Sequence, residues 1–525
     1  KMQAKQKTMA EWGLPEWYAG RTILVTGATG FMGKVLLEKL LRACPDIKRI
    51  YILCRAKRGL APNARVAQIT KLPVFDRLRK ENPSQFSKIV AVEGDVTLKD
   101  LGIRPEQKAE LLEEVSVVFN GAASLRLEWG LKEAVESNTL GTLRMLDLCK
   151  EMKKLESFVH LSTAFCHCEY EVLEETTYPS PANPHDIIRA IQWMDEHTLE
   201  TITPKLLGPH PNCYTYSKRL AESLVFEYGS IFPCAIARPS IVTPAYKEPV
   251  PGWVDNLNGP MGVMVGAGKG VIRSMLCSED TRAEVIPVDI AINALIVIAF
   301  KRALDKIDPT DPVPAFNISA GDVVPMTWGE VLQKGRKIGY EYPFGGCLWY
   351  PNGTIRTNKV IHTLVVFFLQ ILPAYFIDFI MVLIRQKTFM VRVQKRIWVG
   401  MKVLQYFTMR NWHFKIEKAR SLLSLLNDRD KEAFYLDNCE YNVEEYLLNT
   451  LLGGRQYCMK EPLSTLPSAR RQLVFLFWLD LTTKVLLLCL LAYFLQGWIG
   501  SVKYLLDYSG PHLQRVPILN NLVPK

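Results

Sequence analysis

Tyr214 and Lys218 stand four residues apart in Asn212-Cys213-Tyr214-Thr215-Tyr216-Ser217-Lys218, a spacing that puts both side chains on one helical face. Of the 20 tyrosines, only this one is followed by a lysine at that distance. A phenol with a pKa near 10 moves protons poorly at neutral pH, and a neighbouring ammonium favours phenolate. A downward shift of about three units needs roughly 4 kcal/mol, within reach of one close cation helped by a positively charged nicotinamide. Tyr214 therefore reads as an acid–base group and Lys218 as its modifier. A hydroxyl to polarise the reacting oxygen is expected just upstream, in Leu161-Ser162-Thr163-Ala164, with Thr163 the first choice and Ser162 the second. The competing reading of either is a strand-end hydroxyl that caps backbone.

A proton donor of this kind needs a hydride carrier beside it. Thr26-Gly27-Ala28-Thr29-Gly30-Phe31-Met32-Gly33 joins an apolar run to a helical pattern. Gly27, Gly30 and Gly33 let backbone amides approach a pyrophosphate at the positive end of that helix, and Thr29, Phe31 and Met32 complete the turn. Asp95 in Gly94-Asp95-Val96 can accept from an adenine amine, with Val96 beside it. Asn120 and Ala122, in Asn120-Gly121-Ala122-Ala123, form a further wall. The second strand ends in Arg55, Lys57 and Arg58, where an NAD site would carry Asp or Glu. Cations there suit a 2′-phosphate, so NADPH is the expected cofactor. Asn138 reads equally as a brace for the active-site helix and as a catalytic group.

The elements that must hold these residues alternate. Strands are expected at 22–26, 49–54, 88–92, 115–119, 157–161 and 234–238, with helices at 34–43, 131–152 and 214–228 between them. That alternation predicts an α/β, doubly wound parallel sheet of the Rossmann type. The division expected is an extension at 1–20, a cofactor and substrate unit at 21–350, a mainly helical unit at 351–455, and an anchor with tail at 456–525. The 361–384 stretch is long enough to cross a hydrocarbon core yet carries Gln370, Pro373 and Asp378. As a lone span it would send the following Arg385, Lys387, Arg392, Lys395 and Arg396 across the membrane, against the usual charge bias. An in-plane or hairpin element is expected there, and a true anchor within 473–499.

Composition bounds the rest. In 525 residues, 48% are hydrophobic and 22% charged, the balance of a globular protein. The formal charge of +11 is dispersed, with no nucleic-acid module around it, so a phosphorylated cofactor and a membrane face are the expected partners. The twelve cysteines form no CxxC pair, which points to reduced thiols. His160, Cys166, His167 and Cys168 lack zinc spacing, and no metal is expected. Residues 1–20 hold no apolar core of a secretory signal.

Taken together, the glycine-rich turn, Gly94-Asp95-Val96, His160-Leu161-Ser162-Thr163-Ala164-Phe165, Tyr214 to Lys218, Arg238-Pro239-Ser240-Ile241-Val242 and Asp255 to Pro260 resemble the extended short-chain dehydrogenase/reductase group. Within it the chain resembles the alcohol-forming fatty acyl-CoA reductases of animals, and Leu372-Pro373-Ala374 extends the likeness into the carboxyl-terminal unit. The resemblance implies reduction of a long-chain acyl-CoA by two NADPH to a fatty alcohol. It also implies that Tyr214 acts as the acid, that Lys218 both modifies it and anchors the ribose, and that Thr163 or Ser162 polarises the carbonyl. A catalytic body on the cytosolic side of an endoplasmic reticulum or peroxisomal membrane is expected. The alternatives are a membrane-bound NAD(P)-dependent sterol or hydroxysteroid dehydrogenase of the same superfamily, and a non-catalytic cofactor-binding scaffold.

Overall fold

Short runs rich in Val, Ile and Leu form strands here because both faces of each are covered. The computed structural model describes residues 13–57, 59–305, 311–436 and 442–513, with side chains to residue 500; Arg58 of the basic strand end lies outside them. The strands are β1 (Thr22–Thr26), β2 (Arg49–Cys54), β3 (Ile89–Glu93), β4 (Val117–Asn120), β5 (Ser157–Leu161), β6 (Cys234–Pro239) and β7 (Ala315–Ile318). They form one parallel sheet in the order β7-β6-β5-β4-β1-β2-β3. The order reverses between β1 and β4, where Thr26 lies opposite Asn120, and a doubly wound sheet opens its crevice at that point.

Alternate residues of each strand face opposite cores. Ile23, Val25, Val117 and Phe119 pack with α1 (Phe31–Ala43) on one side. Leu24, Val118, Phe158 and Ile236 pack with α2 (Cys213–Tyr228) on the other. The first core is closed by α3 (Val288–Leu304), a helix buried nearly all round, which fits its uniformly apolar sequence.

The chain beyond 351 is woven into this body. Thr354–Arg356 pairs with Ser274–Leu276, and His413–Phe414 pairs with Val172–Leu173. Phe434 sits fully buried in the first core. Further along the chain come α4 (Trp328–Glu341), α5 (Lys359–Leu383) and α6 (Met390–Thr408). The last element is α7 (Leu466–Leu513). Both α5 and α7 contain stretches long and apolar enough to cross a membrane.

Candidate active site

The glycine-rich turn is closed so tightly that Gly27 and Gly33 have no room for a side chain. A Cβ on Gly27, whose φ is +75°, would lie 2.5 Å from the Gly121 carbonyl oxygen. One on Gly33 would lie 2.3 Å from the Gly27 oxygen. Gly30 caps α1 with no side chain bonded to the helix's first amides, which leaves those donors for an anionic ligand. Thr29, Phe31 and Met32 lie on this turn and the first turn of α1, and Phe31 stacks on Trp253 at 5.3 Å. The loop after β4 approaches from the other side, where the Ala122 amide donates to Thr26 Oγ1 at 3.0 Å.

At the end of β2, Arg55 is exposed and donates to Asp95 at 3.2 Å. Burial raises the Asp95 carboxyl, but hydrogen bonds from Thr97 and the Arg55 charge outweigh it and hold the group below the usual carboxylate range. Val96 is half-buried, and its carbonyl accepts from Arg144 at 2.8 Å. The Asn120 amide is engaged elsewhere. It accepts from Thr26 Oγ1 at 2.8 Å and meets His160 Nδ1 at 3.2 Å, so its side chain locks β1, β4 and β5 together.

Helix α2 begins where Asn212 Oδ1 accepts the Thr215 amide, and this start brings Tyr214 to a cavity of about 950 Å³. Thr163, Ser240 and Phe165 share that lining. Thr163 Oγ1 reaches the Pro239 carbonyl at 3.5 Å and also accepts the Phe165 amide, so it caps backbone while facing the cavity. Ser162 is turned instead toward Cys166 Sγ at 3.7 Å and is not part of the cavity wall. The two candidate hydroxyls thus separate. Ser240, named in the sequence only as part of Arg238-Pro239-Ser240, is a third: it is buried and its hydroxyl has no partner among the described residues.

Lys218 donates to the Leu161 carbonyl at 2.7 Å and is 2% exposed. Burial lowers its pKa to about 8. Tyr214 moves the opposite way from the sequence expectation: burial, with the Cys166 sulfur adding, lifts its phenol well above 10. Burial is the largest cause of both shifts. The proton therefore sits on Tyr214 throughout the neutral range, which suits a donor. Asn138 accepts the Ser124 amide at 2.8 Å and donates to Ser217 Oγ at 3.0 Å, tying the loop after β4 to α2. It lies in a π-helical turn, Val135–Leu140, of the kind that recurs at functional sites.

On the buried face of α2, Glu222 accepts from Arg238 Nε at 2.9 Å and from Arg238 Nη2 at 2.7 Å, and meets His167 Nε2 at 2.8 Å. Cys166, His167 and Glu222 approach closely enough to suggest a metal, but the Arg238 guanidinium already occupies both carboxylate oxygens. His160 and Cys168 turn away, to Asn120 and His210.

The far wall comes from residues whose part the sequence alone did not reveal. Helix α6 presents Lys395, Arg396, Val399, Gly400, Val403, Leu404 and Phe407 at four-residue intervals, and α4 adds Val331, Gly335 and Gly339. Both helices thus show the cavity a single stripe.

Models of the male sterility protein family match residues 25–295 and 369–461. Fatty acyl-CoA reductase 1 of Xenopus laevis is 37% identical over 88% of this chain and 89% of its own length. A putative fatty acyl-CoA reductase of Drosophila melanogaster is 35% identical over 96% of both. The terminal reductase domain of a myxalamid biosynthetic pathway is similar in fold, with a TM-score of 0.56 at 18% identity over 86% of this chain and 97% of that one. A reductase domain of a Mycobacterium tuberculosis peptide synthetase gives 0.55 at 17% identity, over 86% and 95%. A dinucleotide crevice, a phenol on the wall of a large apolar cavity, and relatives matched over nearly their full length place this chain in the fatty acyl-CoA reductase family.

Proposed function

We propose that the protein reduces a long-chain fatty acyl-CoA to the primary alcohol with NADPH, through an aldehyde that stays bound. The observation that carries this reading is Tyr214 and Thr163 on one wall of an apolar cavity of about 950 Å³, at the upper end of the range for ligand sites. The glycine-rich turn and the amides of α1 would hold the dinucleotide, with Arg55 beside the ribose phosphate. Bound there, the cofactor supplies hydride.

Thr163 polarises the thioester oxygen and Tyr214 gives it a proton as the carbonyl carbon is reduced. The hemithioacetal loses coenzyme A as a thiol, leaving the aldehyde. A second hydride and a second proton complete the alcohol, so two NADPH and two protons are consumed for each thiol released. Lys218 holds the Leu161 carbonyl, and so the strand end that carries Thr163, in register with α2. Burial of the acyl tail at about 0.8 kcal/mol per CH₂ retains the aldehyde between steps.

Palmitoyl-CoA with NADPH should yield hexadecanol from purified membranes, and a sterol with NAD should not turn over. The reverse pattern would favour the sterol dehydrogenase reading.

Two further outcomes follow. Arg55→Asp should weaken NADPH roughly 10–100-fold, the worth of a charged hydrogen bond, and leave NADH nearly unaffected. An unchanged NADPH/NADH ratio in steady-state kinetics would contradict the contact. Gly335 and Gly400 both line the cavity, and a Cβ on either meets nothing within 4 Å. Gly335→Leu or Gly400→Leu should therefore fold and shift preference toward shorter acyl chains. An acyl-length profile identical to the parent's would show that neither glycine bounds the tail.

A further inference from the structure

Helix α5 is fastened to the body along one edge. His362, Val366, Gln370, Ala374 and Asp378 recur every four residues on that edge. His362 Nδ1 meets Ser274 Oγ at 2.8 Å, and Gln370 Oε1 accepts the Arg273 amide at 2.7 Å and the Ser274 amide at 3.2 Å. Asp378 accepts the amides of Phe389, Met390 and Val391 at 2.9–3.0 Å and so starts α6. Val366 and Ala374 are buried between these bonds. The residues most costly in lipid are thus consumed by the protein. Hydrogen bonds thus hold α5 at three of these turns, the first two to residues 273–274 of the body and the third to the start of α6, which favours a helix lying along the body over one running away from it.

The opposite face is bare. Phe368, Leu372, Tyr375, Phe376, Phe379 and Leu383 are each about half exposed or more. A contiguous apolar face of this kind, rimmed by charge, marks an interaction surface. The rim is cationic: Arg385, Lys387, Arg392, Lys395 and Arg396 are exposed at the turn and the start of α6. A second apolar helix leaves the body beside it. Asp480 of α7 accepts from Trp349 Nε1 at 2.6 Å and from Asn352 at 3.2 Å, and lies 3.8 Å from the Arg273 guanidinium. Arg273 thus touches both apolar helices. Beyond Lys484, α7 is exposed on every side through Ile499.

We propose that α5 lies in the plane of one lipid leaflet, its bare face among acyl chains, with α7 entering the same bilayer beside it. The cations of the turn then stand at headgroup phosphates. Lys395 and Arg396 line the cavity as well, so its mouth opens at the membrane interface. That the mouth admits an acyl chain rests on the function proposed above; the seating of α5 does not.

The test uses the full chain with Cys489→Ser, reconstituted in phosphatidylcholine–phosphatidylserine vesicles. One variant carries Phe376→Cys with an environment-sensitive fluorophore; others carry Lys387→Cys or, on the catalytic body, Lys132→Cys. The fluorophore at 376 should be quenched several-fold more by a spin label high on the acyl chain than by one near the bilayer centre. A maleimide that cannot cross the membrane should label 387 from the same side as 132. Labelling of 387 only from the opposite side would establish a span. Absence of quenching at either depth would mean that protein covers this face. Either result overturns the proposal, and both can be read whatever substrate the enzyme uses.

Discussion

Tyr214→Phe is expected to lower kcat for alcohol formation by about 10²–10⁴-fold, the usual contribution of a placed acid–base group. The ring remains, so packing at the start of α2 and NADPH affinity should persist; fluorescence titration of the cofactor checks the second point. The expectation follows from where the proton resides. Burial lifts the Tyr214 phenol well above 10, so at neutral pH it carries its proton, and in the proposed reaction that proton goes to a carbonyl oxygen that becomes basic as it is reduced. Thr163→Val should cost less, because the Ser240 hydroxyl, without a partner among the described residues, lines the same cavity. A Tyr214→Phe enzyme that turns over near the parental rate would remove Tyr214 from the chemistry.

Glu222→Leu is expected to destabilise the fold by about 3–5 kcal/mol, because it strands a fully buried Arg238 without its carboxylate. Thermal melting should fall by roughly 3–5 °C. Glu222→Gln keeps some hydrogen bonding and should lose less. The same cluster sets the acid limit. Burial raises the Glu222 carboxyl, but Arg238 and His167 outweigh it and hold the group far below its ordinary range. Its contribution is complete above the unfolded value of about 4.3 and is lost as pH falls from there toward the folded value. Burial lowers His167, so the fold keeps it neutral while the unfolded chain takes up a proton below about 6.5. Stability should begin to fall near pH 6.5 and fall faster below about 4.3. In Glu222→Leu the second limb should flatten; a melting curve against pH identical in slope to the parent's would show that this ion cluster does not govern acid unfolding.

How much was legible depended on whether the cause was local. β1, β2 and β5 begin and end at the residues expected; in β1 and β2 an apolar run bounded by polar residues is a complete signal for a strand covered twice. β3 and β4 lie one or two residues later than expected, since their ends are fixed by pairing, Ile50 with Ile89 and Ile23 with Val117. β7 has no such local signal. It is four residues long with a buried Asn317, whose amide donates to the Leu173 and Lys415 carbonyls, and Lys415 comes from almost a hundred residues downstream. α3 shows no amphipathic period that would mark it as a helix.

The site divides similarly. The Tyr214–Lys218 spacing and the glycine turn are local and are found where the sequence puts them. The direction of the Tyr214 shift is not local, because it comes from the walls that bury it. The choice between Thr163 and Ser162 turns on one strand-end rotation, and the stripe of α6 reaches the cavity only through tertiary packing. Gln370 and Asp378 spoiled the reading of 361–384 as a plain span, and their partners at 273–274 and 389–391 give the reason.

The most direct test follows the carbon that is reduced. Palmitoyl-CoA and NADPH bearing deuterium at the transferable position should give hexadecanol with two deuteriums on its first carbon and one free thiol per molecule. Alcohol with a single deuterium, aldehyde as the final product, or no release of thiol would contradict a cavity that holds one acyl chain through two hydride transfers.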